Sequence, residues 1–179
     1  RNEFHLILAS FFTPSLLLFG IKVVTLRLRE SPSKEIKMKK KFEIHVPGDA
    51  KKVLLHTCCA PCSSAIIECL MQHGIRPTIY YCNPNIYPLD EYNIRKDECT
   101  RYAQSLGLEI VDADYDHNHW LRCVQGFENE PERGSRCMLC FKMRLRDTAA
   151  YAHAHGYGVV TTTLASSRWK SLEQINEAG

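Results

Sequence analysis

Leu54-Leu55-His56-Thr57-Cys58-Cys59-Ala60-Pro61-Cys62-Ser63-Ser64 is the stretch on which the fold turns. Lys52 to Thr57 is a short apolar run closed by a turn, the pattern of a central strand. Three thiols follow within five residues. Pro61 suits the first turn of a helix, and Ser63 or Ser64 is a candidate cap. Ile66, Ile67, Leu70 and Met71 then recur at helical spacing until Gly74, a residue of the kind that stops a helix. Pro77 to Cys82 is a second β-branched and aromatic run. Strand, helix and strand in about thirty residues make a βαβ unit.

Working outward, Asn83-Pro84-Asn85-Ile86-Tyr87-Pro88 forces a loop, because prolines and asparagines resist both ladder and helix. Leu89 to Leu106 reads as a long helix ended by Gly107, and Leu108 to Asp112 as a third strand. Leu121 to Phe127 reads as a short helix and residues 129–136 as a charged loop. Arg136 to His155 is helical again up to Gly156, Tyr157 to Leu164 is a fourth strand, and Ser166 to Ala178 begins a last helix. Alternating strands and helices predict a single-domain α/β fold, Rossmann-like, with an open parallel sheet covered by helices on both faces. Ligands of such sheets bind off the carboxyl ends of the strands. That rule lines up Cys58, Asn83, Asp112 or Asp114, and Thr163 along one rim.

Residues 4–24 are mostly apolar but broken by Thr13-Pro14-Ser15, and a basic run follows from Lys22 to Lys41. A membrane anchor is one reading of such a segment. The preferred reading divides the chain into residues 1–37, an extension upstream of the working protein, and residues 38–179, the α/β domain, with Met38 as an ordinary start. Intact-mass measurement of the natural product decides between them.

The chain has 179 residues, a hydrophobic fraction of 45%, a charged fraction of 24% and a formal net charge of +3. These are globular averages that exclude a disordered tail-like protein and permit a nucleic-acid partner without requiring one. The nine cysteines are more telling. Five fall in two groups, Cys58-Cys59-x-x-Cys62 and Cys137-x-x-Cys140, each where a loop meets a helix N-terminus, an arrangement that favours an anionic ligand set. Grouped thiols point to metal or redox chemistry in a reducing compartment, hence the cytoplasm. Their spacing suits zinc or an iron–sulfur cluster, and a disulfide-exchange centre on Cys59 and Cys62 is a third reading. Vicinal cysteines and a fifth thiol sit poorly with tetrahedral zinc. Cys69, Cys99 and Cys123 read as core fillers, with Cys82 at a strand end.

Other residues carry weaker signals. Tyr87, Tyr92 and Arg95 are of a type that stacks on and hydrogen-bonds a base. Asp112, Asp114 and Asp116 with His117 and His119 are candidate acid–base groups, although alternating aspartates at a strand end are commonly just solvated. Arg133, Arg136, Arg144 and Arg146 flank the second thiol pair and can neutralise phosphates or balance a cluster's charge. Neither G-x-x-x-x-G-K-[ST] nor G-x-G-x-x-G is present, which argues against the usual triphosphate and dinucleotide cradles.

Six motifs, in order, carry a resemblance: Cys58-Cys59-Ala60-Pro61-Cys62-Ser63, Asn83-Pro84-Asn85-Ile86, Asp112-Ala113-Asp114-Tyr115-Asp116, Glu130-Pro131-Glu132-Arg133-Gly134, Arg136-Cys137-x-x-Cys140-Phe141 and Ser166-Ser167-Arg168-Trp169-Lys170. From about Met38 onward the chain resembles the QueH-type epoxyqueuosine reductases. The resemblance implies an oxidoreductase of queuosine biosynthesis that reduces the epoxide of epoxyqueuosine, at the wobble position of tRNA, without cobalamin. It implies a 4Fe–4S cluster on Cys58, Cys59, Cys137 and Cys140, and an additional mononuclear iron. In some relatives an aspartate stands at the position of Cys62 and helps hold that iron, so Cys62 is the catalytic-site thiol of open role. Asp114 and His117 are the candidate acids for protonating the departing oxygen. The implied partners are a tRNA with a queuosine-type anticodon and an unidentified electron donor, with no stable membrane association. Family members also have a segment past the position of Gly179, so the chain reads as C-terminally truncated. The alternatives are a zinc-stapled tRNA- or protein-binding module and an ATP-dependent tRNA sulfur- or nucleotide-transfer enzyme.

Overall fold

The structure, a computed structural model, describes residues 7–10, 22–25, 44, 46, 47, 50 and 52–179. At its centre lies β3 (Val53–Thr57), buried along its whole length. A strand covered on both faces has no polar side to show, which is why Val53, Leu54 and Leu55 run without alternation. β3 pairs in parallel with β4 (Thr78–Tyr81) on one side and β6 (Val159–Thr162) on the other, and β4 pairs in parallel with β5 (Ile110–Asp112). Beyond β6 the sheet continues with two antiparallel strands, β1 (Ile7–Ser10) and β2 (Lys22–Thr25), in the order β2-β1-β6-β3-β4-β5. The parallel sheet expected from sequence is therefore the four-stranded part of a mixed one. Apart from these two strands, residues 1–37 and the start at Met38 lie outside the described residues. Among the described residues, no helix is long and apolar enough to cross a membrane.

Successive residues of a strand point to opposite faces, and each face of β3 meets its own helices. Leu55, with Ile79, packs against Ile66, Ile67 and Leu70 of α1 (Ala60–Gln72) and Ala103 of α2 (Leu89–Ser105). Leu54, with Tyr80 and Val160, packs against Ala152 of α4 (Ser135–Ala154). Each fully buried leucine contributes roughly 1.5–3 kcal/mol. On α4's outer side, Phe141 and Leu145 meet Leu164 and Ile175, which docks α5 (Leu172–Ala178).

Three helix starts differ from the sequence reading, each for a local reason. α1 is capped at Cys59, with Pro61 in its first turn. Ser63, expected as a cap, instead donates back to the Cys59 carbonyl at 2.5 Å. α3 spans His117–Cys123, upstream of the expected Leu121–Phe127, because the Asp116 carboxylate accepts from the His119 amide at 2.8 Å and starts the helix there. The last helix does not run from Ser166. Leu164–Ser166 is one 3-10 turn, and α5 begins only where Ser171 accepts from the Gln174 amide at 3.3 Å.

The connections place the site. From β3 the chain steps outward to β4 and β5, then returns to lay β6 on the other side of β3. Strand order thus reverses between β3 and β6, and such a reversal opens a crevice at the carboxyl ends. Cys58 and Thr163 are the residues immediately past those two ends.

Candidate metal centre

At this crevice the sulfurs of Cys58, Cys59 and Cys62 all lie within 4.8 Å of one another. The covalent path explains the convergence. Cys58 leaves the strand, Cys59 is the extended cap of α1, and the first helical turn brings Cys62 back over both. The Cys58 and Cys59 sulfurs are 3.9 Å apart. The Thr163 hydroxyl oxygen accepts from the Cys58 amide at 3.2 Å, and its proton goes to the Cys58 sulfur at 3.5 Å. The Cys58 thiol is held well below its ordinary range, first because the Cys59 and Cys62 thiols donate to its sulfur, then through Lys170's charge and Thr163, all against burial. Cys59 and Cys62 are pushed up, chiefly because their protons serve Cys58. Thiolates rather than thiols ligate metals, so a metal bound here must displace the thiol protons.

A buried polar frame holds the strand ends beneath the trio. Asn83 Nδ2 donates to the Thr57 carbonyl at 2.9 Å, tying β4 to β3. Arg144 of α4 donates to Asn83 Oδ1 and, at 3.0 Å, to the Cys82 carbonyl. His56 Nε2 reaches the same carbonyl at 3.1 Å, and its Nδ1 lies 2.8 Å from Thr162 Oγ1. A carbonyl only accepts, so Nε2 carries the proton and Nδ1 accepts from Thr162, which itself accepts from the Leu164 amide at 3.1 Å. That tautomer is neutral, in keeping with a histidine lowered to about 3 by complete burial and then by Arg144's charge. Asn83 thus shapes the rim, as expected. Arg144, expected to face phosphate or a cluster, is 3% exposed and spends its donors on backbone and amide.

Cys137 and Cys140 stand outside the tight trio. Three residues apart, they share one side of the first turns of α4 and line a cavity of about 360 Å³. Lys170 connects the two groups, since it lines that cavity and its charge acts on Cys58. The start of α4 is itself constructed. Glu130 accepts from the Ser135 amide at 2.8 Å, and a Cβ at Gly134 would fall on that carboxylate and within 3.0 Å of the Pro131 carbonyl. An alanine here would push the Glu130 carboxylate aside. Beside Gly134, Arg133 occupies the left-handed region at φ 66°, uncommon for a residue with a side chain. Its guanidinium donates to the Arg168 carbonyl at 2.9 Å and the Trp169 carbonyl at 3.3 Å, clipping two loops together.

The weaker candidates separate clearly. Tyr92 is a core residue whose hydroxyl donates to Asp112 at 2.6 Å, and Lys96 completes that contact at 3.0 Å. Arg95 pairs with Glu91, and Asp116 caps α3. Asp114 is exposed. His117 donates from Nδ1 to the Pro84 carbonyl at 2.7 Å and stacks between Tyr87 and Trp120. Trp120 lines the cavity, so His117 stands one ring behind it. Cys82 and Cys99 are core residues, Cys69 and Cys123 are half-buried, and all nine thiols are free. Sequence reading placed Asn85 with Asn83 on the rim and missed Trp120 and Gln174 as wall residues. Asn85 Oδ1, Trp120 Nε1 and Gln174 Oε1 are buried without a partner among the described residues, and all three residues line the cavity. Buried polar atoms are ordinarily paired, so this wall suits a polar ligand.

Fold and site together define an α/β protein able to hold a soft metal through thiolates beside a polar cavity. A family model described as Epoxyqueuosine reductase QueH matches residues 53–179. The chain belongs to this family of oxidoreductases. Curated proteins of that name from Haemophilus influenzae, Acinetobacter baylyi and Histophilus somni are 47%, 45% and 49% identical to it. The matches run over 153, 141 and 137 residues, covering 86%, 79% and 76% of this chain but 61%, 65% and 56% of those relatives. The chain spans about three fifths of the length of the curated relatives it matches.

Proposed function

We propose that the chain carries the reducing centre of an epoxyqueuosine reductase that acts on tRNA in the cytoplasm, fed by an electron donor not yet identified. The observation that carries this reading is the trio of close thiols at the sheet's switch point, beside a polar cavity lined by two more. The donor set fits iron: soft sulfur ligands, one already inclined to ionise, with Lys170 to offset charge. Cys58, Cys59, Cys137 and Cys140 would hold a 4Fe–4S cluster, leaving Cys62 for an additional iron. Such a group would supply single electrons.

Converting an epoxide to an alkene and water takes two electrons and two protons. The protein's own part is to bind the ring, orient it and deliver protons. Asn85 Oδ1, Gln174 Oε1 and Trp120 Nε1 offer two acceptors and a donor to a hydroxylated ring. Of the two proposed acids, His117 is the nearer, one ring behind the cavity wall, and Asp114 is exposed two residues past β5. The test is anaerobic reconstitution with iron and sulfide counts, followed by single turnover on epoxyqueuosine tRNA. Cys58→Ser is expected to lose iron and turnover together. Full turnover in a variant without iron sinks the reading, and a colourless protein holding one zinc favours the staple instead.

A further inference from the structure

Two exposed rings, Trp169 and Tyr87, take no part in the chemistry above. Trp169 lines the cavity yet is 61% exposed. It is also held in place: Arg133 pins its carbonyl and that of Arg168, and the Arg168 guanidinium lies 4.9 Å over its ring. The Arg133 backbone lies in the left-handed region, and strain of this kind persists where the surroundings enforce it. A second set of rings starts at Trp120 on the cavity wall. His117 stacks on it at 5.4 Å and 20°, Tyr87 stacks on His117 at 5.0 Å and 22°, and Tyr87 ends the row 72% exposed.

Scattered exposed aromatics are ordinary. A fixed tryptophan under a guanidinium, and a row of near-parallel rings running from cavity to solvent, are not scattered. Cations outnumber anions in the same lining, Arg133, Arg136 and Lys170 against Glu132, beside Arg144, whose donors are spent on Cys82 and Asn83. Flat aromatic faces interleaved with arginine are how proteins hold unpaired bases, which stack on the rings while cations meet the phosphates. A cavity of about 360 Å³ lies at the low end of small-ligand pockets, which run roughly 300–1,000 Å³. It has room for one modified nucleoside, and neighbouring nucleotides must remain outside.

We propose that Trp169 and Tyr87 are stacking platforms for the unpaired nucleotides flanking the one that enters the cavity, with Arg168 on the adjoining phosphate. This inference rests on the reading of tRNA as partner, and its test avoids the reaction. Binding of an anticodon stem-loop RNA with plain guanosine at the wobble position is followed by fluorescence anisotropy, using iron-loaded chain under anaerobic conditions. Trp169→Ala and Tyr87→Ala are each expected to weaken binding roughly 5- to 150-fold, the equivalent of about 1–3 kcal/mol per stacked base. Trp169→Phe should recover most of the loss. Arg168→Ala should reduce the salt slope by about 0.7, the value of one single-strand phosphate contact. Iron content and melting temperature should stay unchanged, as should binding to a fully paired duplex of equal length.

Wild-type affinity for the stem-loop in both alanine variants overturns the proposal. So does an equal loss on the duplex, or a wild-type chain that does not bind the stem-loop. Stem-loop binding lost in the variants, with no epoxide reduction by wild type, supports the platforms and removes the proposed activity. Epoxide reduction with stem-loop affinity indifferent to Trp169 and Tyr87 removes the platforms and leaves the activity.

Discussion

Replacing Thr163 by valine keeps the shape of a side chain that is completely buried and deletes its hydroxyl. Two interactions go at once. The Cys58 amide loses its acceptor, and a buried unpaired N–H costs about 1–3 kcal/mol. The Cys58 sulfur, inclined to ionise, loses a donor, and a hydrogen bond to a charged group is worth about 1.5–3 kcal/mol. Allowing for partial relaxation, about 3 kcal/mol is expected. With a urea dependence near 2 kcal/mol/M, the midpoint should fall by about 1.5 M at unchanged slope. The control is Thr163→Ser, which keeps the hydroxyl and removes one methyl, at about 1 kcal/mol or a midpoint shift of about 0.5 M. The assay is urea unfolding of the reduced, metal-free chain, followed by tryptophan fluorescence. A valine midpoint equal to wild type, or a serine variant less stable than the valine one, refutes the hydroxyl's role in joining β3 and β6.

Four further outcomes follow from the packing. His56→Leu strands the buried Thr162 hydroxyl and should cost about 2–4 kcal/mol in the same assay; a loss below 1 kcal/mol contradicts the hydrogen-bonded frame. Burial pushes the Cys99 thiol up to about 12 from an ordinary 9. The unfolded chain therefore releases that proton first, and the associated stability is intact below pH 9 and lost as pH rises toward 12. About 1 kcal/mol should go between pH 9 and 10, and Cys99→Ala should flatten the stability profile by that amount. Gly134→Ala should displace Glu130 from the Ser135 amide, lowering the melting temperature by the equivalent of about 1–2 kcal/mol and reducing iron uptake. Leu70→Ala, in the core between sheet and α1, should cost about 2–5 kcal/mol by calorimetry.

What was legible in the sequence is what repeats or clusters. The apolar run into Thr57, the helical spacing from Ile66 to Met71 and the run ending at Cys82 declare a βαβ unit, because period and length distinguish strand from helix. The thiol spacing declares a ligand site. How the two thiol groups sit was not legible: three close together across one turn, while Cys137 and Cys140 line the neighbouring cavity. Local spacing says which sulfurs are neighbours along the chain and nothing about the distance between two loops. His56 gave no sign of its role, since a lone histidine in an apolar run has no visible partner until β6 supplies Thr162. Glu130 and Gly134 looked like a charged loop, because a carboxylate capping a helix from five residues upstream has no fixed spacing to search for. Tyr92, readable as a core residue or a base-stacking one, is core, and its hydroxyl joins α2 to β5 through Asp112.

The frame beneath the thiols has a consequence for proton traffic. Each nitrogen of the His56 ring is committed, one to a carbonyl and one to a hydroxyl that is itself committed to a backbone amide. Asn83 does not titrate, and Arg144 keeps its protons and has placed them. The sheet side of the centre is thus a proton-insulating floor, unable to answer a change of charge above it. On the proposed reading, protons reach the centre from its other sides, past the half-buried Cys59 and Cys62 or through the cavity.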